Sequence, residues 1–276
     1  MAKGSLLVTM LAVLSALSAA ATGATAQQPV YRPPQSYYLA LGDSMAYGFQ
    51  PPKANLPPSA VKTGYVNVLA ADFRKLSPQI KVADYGCPGE STVTFVHGGC
   101  DWLKHGGKLH DPFHGAQLAA ALAFLRAHPG KVSPITMTLW GSDVFPLSAQ
   151  GKHAQSAISS LEKRLSSILR QLRAAAPGAE IIVSGAWTIE ADKLAKVEPL
   201  YRSVDTAIRR SAAASRIRVA DVAAALEGTG SVKARQSHLC SLTFYCTKGT
   251  KGDPHPTDAG YRAMAGAFLA ASGYKP

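Results

Sequence analysis

Short runs rich in β-branched and aromatic residues alternate with longer segments of helical apolar spacing along most of this 276-residue chain. Strands are predicted at 37–41, 80–85, 135–140, 180–184 and 217–222. Helices are predicted between them. In 65–76, Tyr65, Val68, Leu69 and Phe73 recur at three- and four-residue steps, and in 156–175 Ile158, Leu161, Leu165, Ile168 and Leu172 form one stripe. The segments 117–127 and 197–214 are helical by composition, and Pro129-Gly130 stops the first of them. Parallel strands need long crossover connections, and helices of this length supply them. The pattern therefore predicts an α/β fold in three layers, α/β/α, with a central parallel sheet covered on both faces. Polar turn residues follow the first three strands, so their carboxyl-end loops are expected to converge on one crevice, where open α/β sheets bind ligands.

The first of those turns carries a hydroxyl. Leu39-Ala40-Leu41 breaks into Gly42-Asp43-Ser44 and reopens as a small-residue segment ending in Gly48. A serine at the end of a buried strand is a candidate nucleophile if a base can reach it, and otherwise a helix cap. Asp43 reads as structural, hydrogen-bonded within the turn. The candidate base lies near the other terminus. His255 stands between Pro254 and Pro256, ahead of an alanine-rich segment of helical character. Proline fixes its own φ and disfavours helix in the residue before it, which puts His255 on a stiff loop. A rigid mount suits a general base, whose hydrogen bond to the nucleophile depends on exact placement.

Residues 1–26 read as a cleaved secretion signal: a basic start at Lys3, an apolar alanine-rich run at 6–21, and Ala24-Thr25-Ala26 as a small-x-small cleavage site. The run is shorter than the roughly 18–20 residues of a spanning helix, which disfavours a membrane anchor. Residues 27–36, with Pro29, Pro33 and Pro34, form an extended lead-in, and 37–276 a single domain. Four cysteines in an exported chain point to disulfides. Cys87 with Cys100 and Cys240 with Cys246 close the shortest loops of the three possible pairings. None of the four has the spacing of a zinc knuckle. The 29 Lys and Arg exceed the 17 Asp and Glu, a formal +12. The positive residues are dispersed, with Arg164, Arg170 and Arg173 in one segment, Arg209 and Arg210 in another, and Lys248 and Lys251 near His255. Dispersed charge suits solubility and attraction to anionic membrane or cell-envelope surfaces rather than nucleic-acid reading.

Taken in order, these segments resemble the SGNH, or GDSL-type, serine hydrolases. Gly42-Asp43-Ser44 matches the family's first block, Gly86-Cys87-Pro88-Gly89-Glu90-Ser91-Thr92 resembles its second, and His255-Pro256 followed by Gly260-Tyr261 its last. The resemblance covers nearly all of the chain after the leader and implies a flavodoxin-like sheet. It further implies Ser44 as nucleophile, His255 as base, and the N–H groups of Ser44 and Gly89 as oxyanion donors. No metal or organic cofactor is implied. Two departures stand out. The family's third block is Gly-x-Asn-Asp, whereas this chain reads Trp140-Gly141-Ser142-Asp143. Aligned on the final aspartate, Ser142 takes the asparagine's place. A shift of one would put Asp143 there, and its carboxylate would repel an oxyanion. The orienting acid usually stands three residues before the histidine, which here is Gly252. Asp253, two before, is the expected third member of the triad, with a backbone carbonyl as the alternative orienter. Asp258 is expected as a helix cap or first-turn charge.

The expected activity is hydrolysis of carboxylic esters, of small molecules or lipids, by a secreted monomer. Deacetylation of glycans on the same fold is one alternative. A non-catalytic surface binding protein with a degenerate third block is the other. His97, His105, His110 and His114 crowd one segment with Asp101 and Asp111, but their spacing matches no metal-ligand pattern, and they are expected as solvated loop residues. Phe95, Trp102, Phe113, Phe145, Trp187 and Phe244 are placed to line a pocket or to pin loops.

Overall fold

The computed structural model describes Met1, Pro29 and residues 32–145 and 154–276. The expected leader beyond Met1, and residues 27, 28, 30 and 31 of the lead-in, lie outside the described residues. Five strands form one parallel sheet: β1 (Tyr37–Gly42), β2 (Lys81–Asp84), β3 (Val132–Thr138), β4 (Ile181–Ser184) and β5 (Arg218–Ala220), in the order β2-β1-β3-β4-β5. All four pairings are parallel, with Leu39 opposite Ala83 and Ile135, and Ile135 opposite Ile181. This is the flavodoxin-like order, in which the chain reverses direction across the sheet between β1 and β3.

Among the described residues, eleven α-helices accompany the strands: α1 (Ser44–Tyr47), α2 (Tyr65–Leu76), α3 (Thr92–His97), α4 (Asp101–Lys104), α5 (Gln117–Ala127), α6 (Gly141–Val144), α7 (Ala154–Ala175), α8 (Leu194–Ala213), α9 (Val222–Glu227), α10 (Val232–Leu242) and α11 (Asp258–Ser272). Adjacent residues of a strand point to opposite faces, and β1 displays this directly. The Tyr37 ring meets Phe124 of α5, whereas the Tyr38 ring meets Phe73 of α2. Helices α5, α7 and α8 pack side by side in one layer, and α2, α9 and α11 in the other. Tyr65 of α2 stacks on Phe268 of α11 with ring centroids 4.7 Å apart. Strands β3 and β4 are buried along their whole length, as a sheet covered on both faces requires.

Differences from the expected elements are local. Strand β3 starts at Val132 rather than 135, running through Pro134, which lacks the N–H that a sheet position normally uses. The last strand stops at Ala220, because the Asp221 carboxylate accepts the Ala224 N–H and starts a helix where the apolar run was read as strand. Helix α10 has no counterpart in the sequence reading. Cys87 is bonded to Cys100, and Cys240 to Cys246, the expected pairing. Among the described residues, no helix is long and apolar enough to cross a membrane.

Candidate active site

The carboxyl ends of the strands open into a cavity of about 600 Å³. The turn after β1 supplies Asp43, Ser44, Met45 and Phe49 to its wall, and the β2 loop Pro88 and Gly89. The turn after β3 supplies Trp140, Gly141 and Ser142, the β4 loop Trp187 and Ile189, and the loop before α11 Pro254 and His255.

Ser44 is the first residue of α1, and Asp43 caps that helix by accepting the Met45 N–H at 3.0 Å. The Asp43 carboxylate also accepts Thr138 Oγ1 at 2.9 Å, and its backbone N–H donates to the Thr138 carbonyl at 2.9 Å. Burial raises the Asp43 carboxyl to about 6, against these hydrogen bonds and the nearby His255, which lower it. Gly42 permits the whole turn. Its φ is +119°, and a Cβ there would lie 1.8 Å from the Thr138 carbonyl oxygen, so no side chain fits.

His255 is held from behind by backbone. Its carbonyl accepts the Phe244 N–H at 2.9 Å, the Thr257 N–H donates to Leu242, and the Gln50 side chain donates to the Pro256 carbonyl. The Cys240–Cys246 bridge closes the segment that carries Phe244. On this mount the imidazole Nε2 lies 2.8 Å from Ser44 Oγ. Its Nδ1 lies 2.8 Å from Asp253 Oδ1, which also accepts the His255 N–H at 2.9 Å. Partial burial raises the Asp253 carboxyl, but the hydrogen bonds and charge of His255 prevail and leave it below the ordinary carboxylate value. Serine, histidine and aspartate thus form one hydrogen-bonded series, assembled from opposite ends of the chain.

Gly89, with φ +81°, follows Pro88 in the cavity wall. Among the described residues, neither its N–H nor that of Ser44 donates to another protein group. Of the third block, Ser142 lines the cavity and Asp143 does not. The Asp143 carboxylate instead accepts the Thr92 N–H at 2.8 Å, Thr92 Oγ1 at 2.6 Å and Arg164 Nη2 at 3.1 Å. Ser142, rather than Asp143, is therefore the polar side chain that this block presents to the cavity.

The aromatic residues divide. Trp102, Phe145 and Trp187 line the cavity, whereas Phe95 is core and Phe113 packs beside the Cys87–Cys100 bridge. Phe244 is absent from the cavity wall. Phe49, Trp140 and Ile189 line it without having been singled out for that role, since an apolar residue facing a cavity has the same sequence signature as one facing the core. Phe49 lies against His255, with ring centroids 4.7 Å apart. Of the four clustered histidines, His110 departs from the expected solvated position: it is half-buried, with Nε2 3.0 Å from the Tyr47 carbonyl. His105 is exposed, as expected, and borders the cavity. Asp258 is a first-turn charge of α11, with Thr257 as the cap, and it pairs with Lys53 at 3.0 Å. Cys87, Glu90 and Cys100 lie close together, but both sulfurs are spent in the disulfide.

The sequence profile of the GDSL-like Lipase/Acylhydrolase family matches residues 40–263. No curated protein sequence matches the chain. Among solved structures, the chain is similar to an α/β hydrolase enzyme from the metagenome of Lake Arreo (17% identity, TM-score 0.57, covering 88% of this chain and 98% of that one). It is also similar to a protein described as a GDSL-like lipase from Parabacteroides merdae (16%, 0.58, 90% and 100%). An acetylxylan esterase of Geobacillus stearothermophilus is a third such structure (17%, 0.56, 88% and 96%). At these identities the likeness is one of fold.

Proposed function

The chain belongs to the GDSL-like lipase/acylhydrolase family, and from that premise we propose that it is a secreted serine hydrolase of carboxylic esters. The observation that carries the reading is the series Ser44 Oγ–His255–Asp253, with both links at 2.8 Å, on the wall of an apolar cavity. Ser44 Oγ attacks the ester carbonyl carbon as His255 Nε2 accepts its proton. Asp253 holds Nδ1 protonated, fixing the tautomer and offsetting the charge of the imidazolium. The tetrahedral oxyanion is held by the N–H groups of Ser44 and Gly89, with the Ser142 hydroxyl as a third donor. His255 then protonates the departing alkoxide, leaving an acyl-Ser44 ester. Water, deprotonated by His255, releases the acid by the same steps.

Two disulfides and the leader pattern support export. The excess of basic residues suits substrates at anionic surfaces. The aromatic wall of Phe49, Trp102, Trp140, Phe145 and Trp187 favours an acyl chain over acetyl groups on a glycan.

The test is fluorophosphonate labelling beside hydrolysis of p-nitrophenyl esters and of acetylated xylan. The wild type should label and turn over. Ser44→Ala should not label, and its kcat should fall by roughly 10⁵–10⁶-fold, the scale set by removing a triad nucleophile. A folded wild type that neither labels nor hydrolyses would leave the binding-protein reading. Activity confined to acetylated xylan would favour the deacetylase.

A further inference from the structure

Behind the two backbone donors lies a buried polar pair that packing alone does not account for. Gln117 opens α5 and is fully buried, as is Glu90 to within 1% of its surface. Leucine or methionine would fill either place without a polar atom to satisfy. The amide of Gln117 is committed to Gly42: Oε1 accepts the Gly42 N–H at 2.6 Å and Nε2 donates to the Gly42 carbonyl at 3.0 Å. A side chain here supplies the pair of bonds that a neighbouring strand would supply, at the place where β1 ends. The same Nε2 donates to Glu90 Oε2 at 3.0 Å. Gly42 stands two residues before Ser44, and Glu90 stands next to Gly89.

We propose that Gln117 and Glu90 are positioning residues, a clamp that sets the spacing between the Ser44 and Gly89 N–H groups and so the width of the oxyanion site. The proposal rests on the hydrolase reading above. The clamp joins the β1 turn to the β2 loop by side chains, while the Cys87 N–H, donating to the same Gly42 carbonyl at 2.9 Å, joins them by backbone. Glu90 Oε1 makes no well-formed hydrogen bond among the described residues, although the Thr94 hydroxyl lies near enough to lower the carboxyl's pKa. A buried oxygen left without a well-formed bond costs stability, and proteins retain such costs chiefly where function needs the group. An oxyanion is stabilised only by donors already in place, so a shift of about 1 Å between them can cost ~10²-fold in rate without touching substrate binding.

Three variants test the clamp by kcat and KM on a p-nitrophenyl ester and by the rate of phosphonylation. Gln117→Met should lower kcat by ~10²-fold and Glu90→Met by ~10-fold or more, each with KM within about threefold of wild type. Phosphonylation, which also places charge in the oxyanion site, should slow in parallel. Glu90→Gln keeps an oxygen that can accept from Gln117 and should recover most of kcat. Folded variants with unchanged kcat, a loss confined to KM, or a Glu90→Gln loss as deep as that of Glu90→Met would overturn the proposal. Should Gln117→Met fail to fold, the Glu90 pair decides alone. A wild type without Ser44-dependent activity sinks both this proposal and the hydrolase reading, whereas an active wild type with indifferent variants sinks only the clamp.

Discussion

The turns after β1 and β3 sit on neighbouring strands and border the same cavity, yet they are anchored by opposite means. The β1 turn is held through its backbone. Gly42 is gripped at both its N–H and its carbonyl, the Asp43 N–H bonds Thr138, and the Asp43 carboxylate caps α1. Every anchoring group there is buried, and from this mount Ser44 Oγ reaches His255 Nε2. The β3 turn is held by side chains, through the wedge of Trp140 against Trp187 and the Asp143 carboxylate shared by Thr92 and Arg164. Arg164 remains 33% exposed in that ion pair. What the β3 turn offers the cavity is a short hydroxyl where the family carries an amide. On the proposed reading, the difference concentrates precision on Ser44 and His255, with less asked of Ser142.

Asp253→Asn probes the precise side and carries the largest effect of those that follow. An amide in place of the carboxylate can still occupy the space but favours the wrong tautomer of His255. The expected loss is about 10³–10⁴-fold in kcat with KM little changed, measured on a short p-nitrophenyl ester. A loss below tenfold would mean that a backbone carbonyl orients the imidazole, and the contrast between the two turns would narrow.

Ser142 probes the weaker side. A well-placed oxyanion donor is worth roughly 10²–10³ in kcat. A hydroxyl on a shorter arm should fall short of that, so Ser142→Ala is expected to lower kcat by only about tenfold. Ser142→Asn restores the longer amide and should raise kcat severalfold above wild type. If Ser142→Ala fell as far as Asp253→Asn, the third donor would be as exact as the base, and the comparison would break.

The same contrast explains what the sequence made legible. Strands and long helices announce themselves because a buried stripe must repeat at two or 3.6 residues, and α2 and α5 run over the expected residues. Helix α10 was missed because only Leu239 of its eleven residues is buried, leaving no stripe to read. Ser44, His255 and Asp253 were legible because glycine and proline around them mark turns that no ordinary core segment needs. Arg173 was read only as one of the dispersed positive charges, which suit solubility. It is buried instead, with its guanidinium donating to the carbonyls of Ser215, Ala176, Pro177, Ala179 and Arg216. Carbonyls carry no residue type, so their convergence on one cation cannot be seen before the chain is folded. The Gln117–Glu90 pair escaped notice for the same reason, since two of its three hydrogen bonds run to backbone.

The buried anchorage of the β1 turn has a thermodynamic signature. Burial raises the Glu90 carboxyl from 4.5 to about 7, and the Asp43 carboxyl to about 6. A raised folded-state value means that the native state binds the proton more tightly than the unfolded chain does between those limits. The contribution to stability is then fully present below about pH 4.5 and is lost as pH rises through 7. Glu90→Gln cannot ionise and keeps an acceptor for Gln117, so it removes this loss without removing the hydrogen bond. Its melting temperature relative to wild type should therefore climb between pH 5 and pH 8, by up to about 10 °C in a domain of this size. A flat difference for Glu90→Gln, or one that shrinks as pH rises, would place the Glu90 proton elsewhere.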